Sequence, residues 1–473
     1  MMTQTPSAPP VPTAAEVADP YALRPELARA APRTLVQRLR FLGPGMLMSA
    51  AVVGSGELIT TTTMGASVGF ALLWLIILST GAKVFIQAEL AKHTILSGRP
   101  ALQAFADVPP RIGRASWINV LWIGMDLAKM LQRGGIIGGA VSALSLLWPI
   151  LGEPLSTPSL LLWTVIALAV VIGVNVADRY LLLERTAFAL VVTFTVFTVI
   201  LALSLPATAF GYDLADIAGG FTLGIPAGAA GIAIAVFGLT GVGADEMTTY
   251  TYWTMEKGYA RWTGPEDGTP ERAARARGWI RVMQLDLLVA WIVTTACTLS
   301  FYIMGAAVLH PQDLHPEGTE VIRTLSRMYV DTLGPWAEIL FLIGAVTVLG
   351  STFLASTASV PRLWANNLAV LGAFDWTDVA LRRRLIRIFT VVMPCIWAAT
   401  FLGLKAPLIM VMIGGFGGAL FLFAVVIAVW FLRRRTGDAT FRSRRSTVLL
   451  CISTLAVLFA GAVALLEELG IAA

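Results

Sequence analysis

Gly54-Ser55-Gly56-Glu57-Leu58-Ile59-Thr60-Thr61 and Gly241-Val242-Gly243-Ala244-Asp245-Glu246-Met247-Thr248-Thr249 repeat one pattern: paired glycines, an acid, then paired threonines. The first copy lies in the apolar run from Phe41 to about Met64, the second in the run from Ile225 to Trp253. Either run is long enough to cross a bilayer. Paired glycines release the backbone from helical geometry, and an unwound stretch at membrane depth persists only where it lines a cavity or is buried in protein. Matched interruptions in the two halves of a chain are the sequence mark of a secondary transporter's central site. The plainer alternative is that the glycines let neighbouring helices pack closely.

Composition fits the membrane reading. Of 473 residues, 57% are hydrophobic and 13% charged, with a mean hydropathy of +0.77; a soluble domain carries about 25% charged residues. Windows of about 20 apolar residues give spans near 41–63, 67–91, 115–147, 159–177, 183–206, 225–254, 277–308, 332–359, 384–403, 407–432 and 447–468. The loops at 92–114, 178–182, 255–276, 360–383 and 433–446 are rich in Arg and Lys, whereas those at 148–158 and 207–224 contain neither. The net charge of +5 therefore reflects the positive-inside rule, not nucleic-acid binding. It predicts a plasma-membrane protein with its N-terminus cytoplasmic and its C-terminus outside. Residues 1–40 are expected to form a disordered cytoplasmic tail, because the Pro- and Ala-rich start has no apolar core of a signal peptide. Oligomerisation is not implied.

The interrupted spans are the first and the sixth, five apart. That is the arithmetic of an all-α, LeuT-type inverted repeat. It divides the chain into a first five-helix repeat at 41–206, a second at 225–403 completed by helix 10 at 407–432, and an extra helix at 447–468.

The intramembrane charges are the candidate chemistry. A carboxylate such as Glu57 is costly at the bilayer centre unless paired or hydrated, so it reads as a cation ligand or a coupling acid; a protonated side chain bonded to a neighbouring helix is the alternative. Asp245 and Glu246 open the second half of the sixth span, where helix N–H groups favour negative charge. Neighbours on a helix point about 100° apart, so Asp245, which aligns with Glu57 between the repeats, is preferred as the cavity residue. Asp126, Lys129 and Arg133 share one face of the third span, either as a self-neutralising ion pair or as part of a charge network. Asp286 in the seventh span reads as structural. Cys297, Cys395 and Cys451 lie in apolar runs, and His93, His310 and His315 fall at or beyond span ends. The sequence contains no nucleophile elbow, P-loop or ligand-spaced His/Cys cluster. Neither enzymatic activity nor a cofactor is implied.

Gly43-Pro44-Gly45, Gly54 to Glu57 and Gly69-Phe70-Ala71-Leu72-Leu73-Trp74 resemble the opening of the Nramp divalent-metal transporters, which have Asp-Pro-Gly-Asn where this chain has Gly54 to Glu57. Met125 to Lys129, Gly344 to Ala355 and Arg383-Arg384-Leu385-Ile386-Arg387 resemble later motifs of that family. The resemblance implies a central metal site at Gly54, Glu57 and the Leu239 carbonyl, joined by Asp245 and Glu246, with Arg383 and Arg384 linked to the Asp126–Lys129–Arg133 network. The family's Met-Pro-His corresponds to Val242-Gly243-Ala244, which removes the soft sulfur. An all-oxygen site suits a hard cation such as magnesium or manganese. That divalent cation would be cargo. Lys129 stands where the family has Glu, so any proton symport is expected to be weak. A carrier of a small organic solute or amino acid, or a passive cation-binding relative, is the alternative.

Overall fold

The computed structural model describes residues 19–45, 54–177, 180–436 and 441–468. Among these residues, ten helices are long and apolar enough to cross a membrane. The opening half of the first span, 46–53, lies outside the described residues. Its second half starts as a π-turn at Gly56–Thr61 and continues as α1 (Thr62–Val68). Then come α2 (Leu73–Ser97), α3 (Trp117–Leu147), α4 (Thr157–Val176) and α5 (Tyr180–Ser204). The sixth span is two helices, α6 (Ala230–Leu239) and α7 (Ala244–Lys257). The chain continues through α8 (Pro270–Met304), the short α9 (Val321–Leu333), α10 (Ala337–Leu371), α11 (Val379–Leu404), α12 (Pro407–Arg435) and α13 (Arg444–Glu468).

Local chemistry sets the element ends. Ser116 and Asn119 form a capping box that starts α3. Thr269 accepts from the Arg272 N–H at 3.2 Å and Pro270 takes the first helical position, which starts α8. α3 then runs through the middle of the bundle, packed on α10, α11 and α12. Its glycines permit that approach: a Cβ on Gly135 would stand 2.7 Å from the Pro407 carbonyl. α4 and α13 are peripheral. Leu161, Val165, Ile452 and Leu455 on their outer faces are exposed apolar side chains suited to lipid.

The structure corrects two expectations. Residues 19–40, expected within a disordered tail, are ordered and pack against the Arg-rich face of the bundle. There Asp19 pairs with Arg382 at 2.7 Å, Tyr21 donates to Glu256 at 2.8 Å, and Arg29 stacks 3.7 Å over Trp262. The stretch between the spans expected at 277–308 and 332–359 holds most of α9, whose buried Val321, Ile322, Leu325 and Met328 line one face. Its apolar stripe is shorter than a span, which is why a span-length window passes over it.

Candidate functional site

The break in the sixth span is made by Gly241. Its φ of +70° strongly favours glycine, and a Cβ there would stand 3.1 Å from the Thr80 backbone on α2. The turn exposes the last carbonyls of α6 and the first N–H groups of α7. No described hydrogen bond ends on the Leu239 carbonyl, and a Cβ on Gly56 would lie 3.6 Å from it. The two interruptions therefore face each other directly.

Between them lies a polar cavity of about 50 Å³, room for a few waters or a partly hydrated small ion. Asp245 and Glu246 both line it, together with Ser55, Gly56, Leu239, Lys129 and Arg133. The alignment of the repeats favours Asp245 over Glu246 as the cavity residue, yet both line it. The start of α7 sits against the cavity end-on, so both neighbours reach it.

Lys129 Nζ lies 2.8 Å from Asp245 and 3.9 Å from Glu246. Arg133 lies 2.8 Å from Asp126 and 3.8 Å from Asp245. Trp364 completes the Asp126 environment with an indole N–H bond of 2.6 Å. The third-span charges thus do not neutralise one another alone: Lys129 turns to the sixth span. Arg383 and Arg384, expected to extend this network, are exposed and appear in none of the described ion pairs; Arg382, which pairs with Asp19, is the one turned inward. A helix presents neighbouring residues on different faces, and sequence spacing did not decide which arginine points in.

Glu57 and Gly54 also depart from the expected ligand set. Glu57 is fully buried but does not line the cavity. Its carboxylate accepts from the Gly54 N–H at 3.3 Å and from Thr298 on α8 at 3.4 Å. It ties the first interruption to α8. Gly54 carries no free carbonyl, because the Leu58 N–H bonds it at 2.9 Å; the space beside its Cα is taken by Thr352. Val242 is packed in an apolar cluster and does not line the cavity.

Asp286 is structural, as read. It accepts from Gly43 N at 3.0 Å, Gly45 N at 2.5 Å and Tyr250 Oη at 2.9 Å, which anchors the approach to the first span. Sequence reasoning missed Lys83 on α2, which is fully buried and donates to carbonyls in the sixth-span break. A lone lysine in the middle of an apolar span was the available signal. Among the described residues, no group of three or more His, Cys, Asp or Glu is arranged to hold a metal. Any cation bound here would rely on two carboxylates, a carbonyl and hydroxyl or amide oxygens.

Opposed helix interruptions around a buried polar cavity define a membrane carrier of the LeuT-type class. Residues 45–468 match the family model described as Nramp, natural resistance-associated macrophage protein-like. The chain belongs to the Nramp family of membrane transporters. It is 27% identical over 369 residues to the divalent metal cation transporter MntH of Deinococcus radiodurans, covering 76% of this chain and 74% of that one. To MntH of Mycobacterium tuberculosis it is 24% identical over 367 residues, with 76% and 77% coverage. A mutant manganese transporter of Eremococcus coleocola shares the fold at a TM-score of 0.59 and 16% identity, covering 94% of this chain and 91% of that one. MhsT in complex with L-phenylalanine does so at 0.51 and 13%, with coverages of 92% and 100%. The expected fold class and the family resemblance both hold.

Proposed function

We propose that the chain carries a hard divalent cation, of the magnesium or manganese kind, through the cavity between the two interrupted spans. The reading rests on one observation: Asp245 and Glu246 share the wall of a polar cavity opposite the unengaged Leu239 carbonyl. Two carboxylates balance a divalent charge, and a wall with oxygen ligands but no sulfur or imidazole lets the ion keep part of its water shell. Names of the related MntH proteins support a divalent cation over an organic solute or a passive binder.

Lys129 and Arg133 give the site its logic. They hold Asp245 while cargo is absent, so the carboxylates are not left as uncompensated buried charge. An arriving cation competes with Lys129 for Asp245 and Glu246. Glu57 acts here as a tie between the first interruption and α8. Trp253 and Ser359 line the cavity as well; we take the Arg-rich face as cytoplasmic, in the plasma membrane, with the C-terminus outside. In this proposal the repeats remain 41–206 and 225–432.

Uptake into sealed liposomes tests the reading, screened across Mg, Mn, Ca, Cd and amino acids. Mg or Mn should enter, and Asp245→Asn with Glu246→Gln should abolish entry while extraction and elution stay normal. Entry of amino acids but no divalent ion, or full activity in the double variant, would reject it.

A further inference from the structure

Lys83 takes no part in the proposed cargo site. We infer that its ammonium is a built-in monovalent cation of the sixth-span break, filling a carbonyl cage that a diffusible ion would otherwise occupy. The carrier's cycle is therefore independent of sodium and other small monovalent cations. Lys83 Nζ donates to the Thr240 carbonyl at 2.9 Å and, at short range, to the Phe237 carbonyl. The Phe237 ring centroid lies 4.8 Å from the same nitrogen. Ser79, one turn earlier on α2, donates to the Phe237 carbonyl at 3.3 Å and lies 2.8 Å from the Thr240 hydroxyl. Lys83 is fully buried, and none of the described ion pairs includes it.

The physical argument concerns the end of α6. A helix C-terminus leaves carbonyls unpaired and carries a partial negative charge. In carriers with broken spans, such carbonyls and half-helix ends coordinate the coupling ion. Here a side chain from α2 takes that place. Two carbonyls and an aromatic face meet the needs of an ammonium that would otherwise be costly to bury. Lys83 is thus a positioning residue, fixing the end of α6 beside the Gly241 turn. The inference holds whatever cargo binds at Asp245.

Chemical rescue tests it on the full chain. Lys83→Ala opens the cage, whereas Lys83→Met removes the charge but fills the space. Both would be melted in detergent with equal concentrations of choline, sodium, ammonium or methylammonium chloride. Wild type should melt alike in all four. Lys83→Ala should melt several degrees lower in choline and recover with rising ammonium, methylammonium or sodium, as expected when an ion binds only the folded state. Lys83→Met should stay low in every salt. In liposomes, Lys83→Ala uptake should rise at least tenfold from choline to the restoring ion. A Lys83→Ala protein that melts like wild type in choline, or shows the same deficit in all four salts, overturns the inference. So does failure to obtain it folded in any of them.

Discussion

Lys129 sits 2.8 Å from Asp245 and is itself almost fully buried, so cargo and lysine contend for one carboxylate. Lys129→Met should raise apparent cation affinity by about tenfold, on the order of 1.4 kcal/mol. It should also lower the melting temperature, because the freed carboxylates lose a buried partner. Unchanged affinity in uptake titrations would mean the pair is only structural. Asp245→Asn should weaken affinity by at least about tenfold on the same scale. Glu57→Gln, by contrast, should act through conformation: the amide cannot accept the same set of N–H and hydroxyl bonds. Turnover should fall more than equilibrium cation binding, as read by metal-dependent thermal shift beside flux. Val242 faces an apolar cluster, so Val242→Met should not raise Cd affinity, and Cd should hold no advantage over Mn or Mg.

Among the elements, the two interrupted spans use their glycines in different roles. Gly241 carries the turn, and alanine there should cost roughly 1–2 kcal/mol from the left-handed conformation alone, with added crowding against Thr80. Gly56 is different. A Cβ there would meet Leu239 Cβ at 3.4 Å, an ordinary contact. Gly56→Ala should therefore fold normally yet weaken cargo binding by crowding the cavity wall. Thermal melts of the two variants, read beside uptake, separate a hinge glycine from a wall glycine; equal stability losses would contradict the assignment.

For the whole molecule, sidedness rests on charge. Cysteines placed singly in the loops at 148–158 and 207–224 should react with an impermeant thiol reagent from outside, and one at the far C-terminus should too. A cysteine at Gly268 should not. The reverse pattern would invert the proposed topology. Proton coupling should be weak because Lys129 places a fixed positive charge beside the cavity. A pH-sensitive dye inside liposomes should stay nearly constant during metal entry, and strong metal-driven acidification would contradict this.

Periodic and local features carried the sequence reading far. Hydropathy and loop charge give the spans because lipid demands unbroken apolar runs, and α3, α11 and α12 fall within a few residues of their expected bounds. The break at Gly241 was legible because that left-handed backbone strongly favours glycine. What sequence left open was decided by side chains meeting across helices. Whether Lys129 turns to Asp126 or to Asp245, whether Arg382 or Arg383 points inward, and whether Glu57 lines the cavity or bonds to α8 depend on the rotation and packing of whole helices. Lys83 is the clearest case. Its sequence neighbours are apolar, and its partners, the Phe237 and Thr240 carbonyls, lie more than 150 residues away. Backbone carbonyls belong to every residue alike, so no pattern of residue types marks the cage, and only the tertiary structure brings the lysine to it.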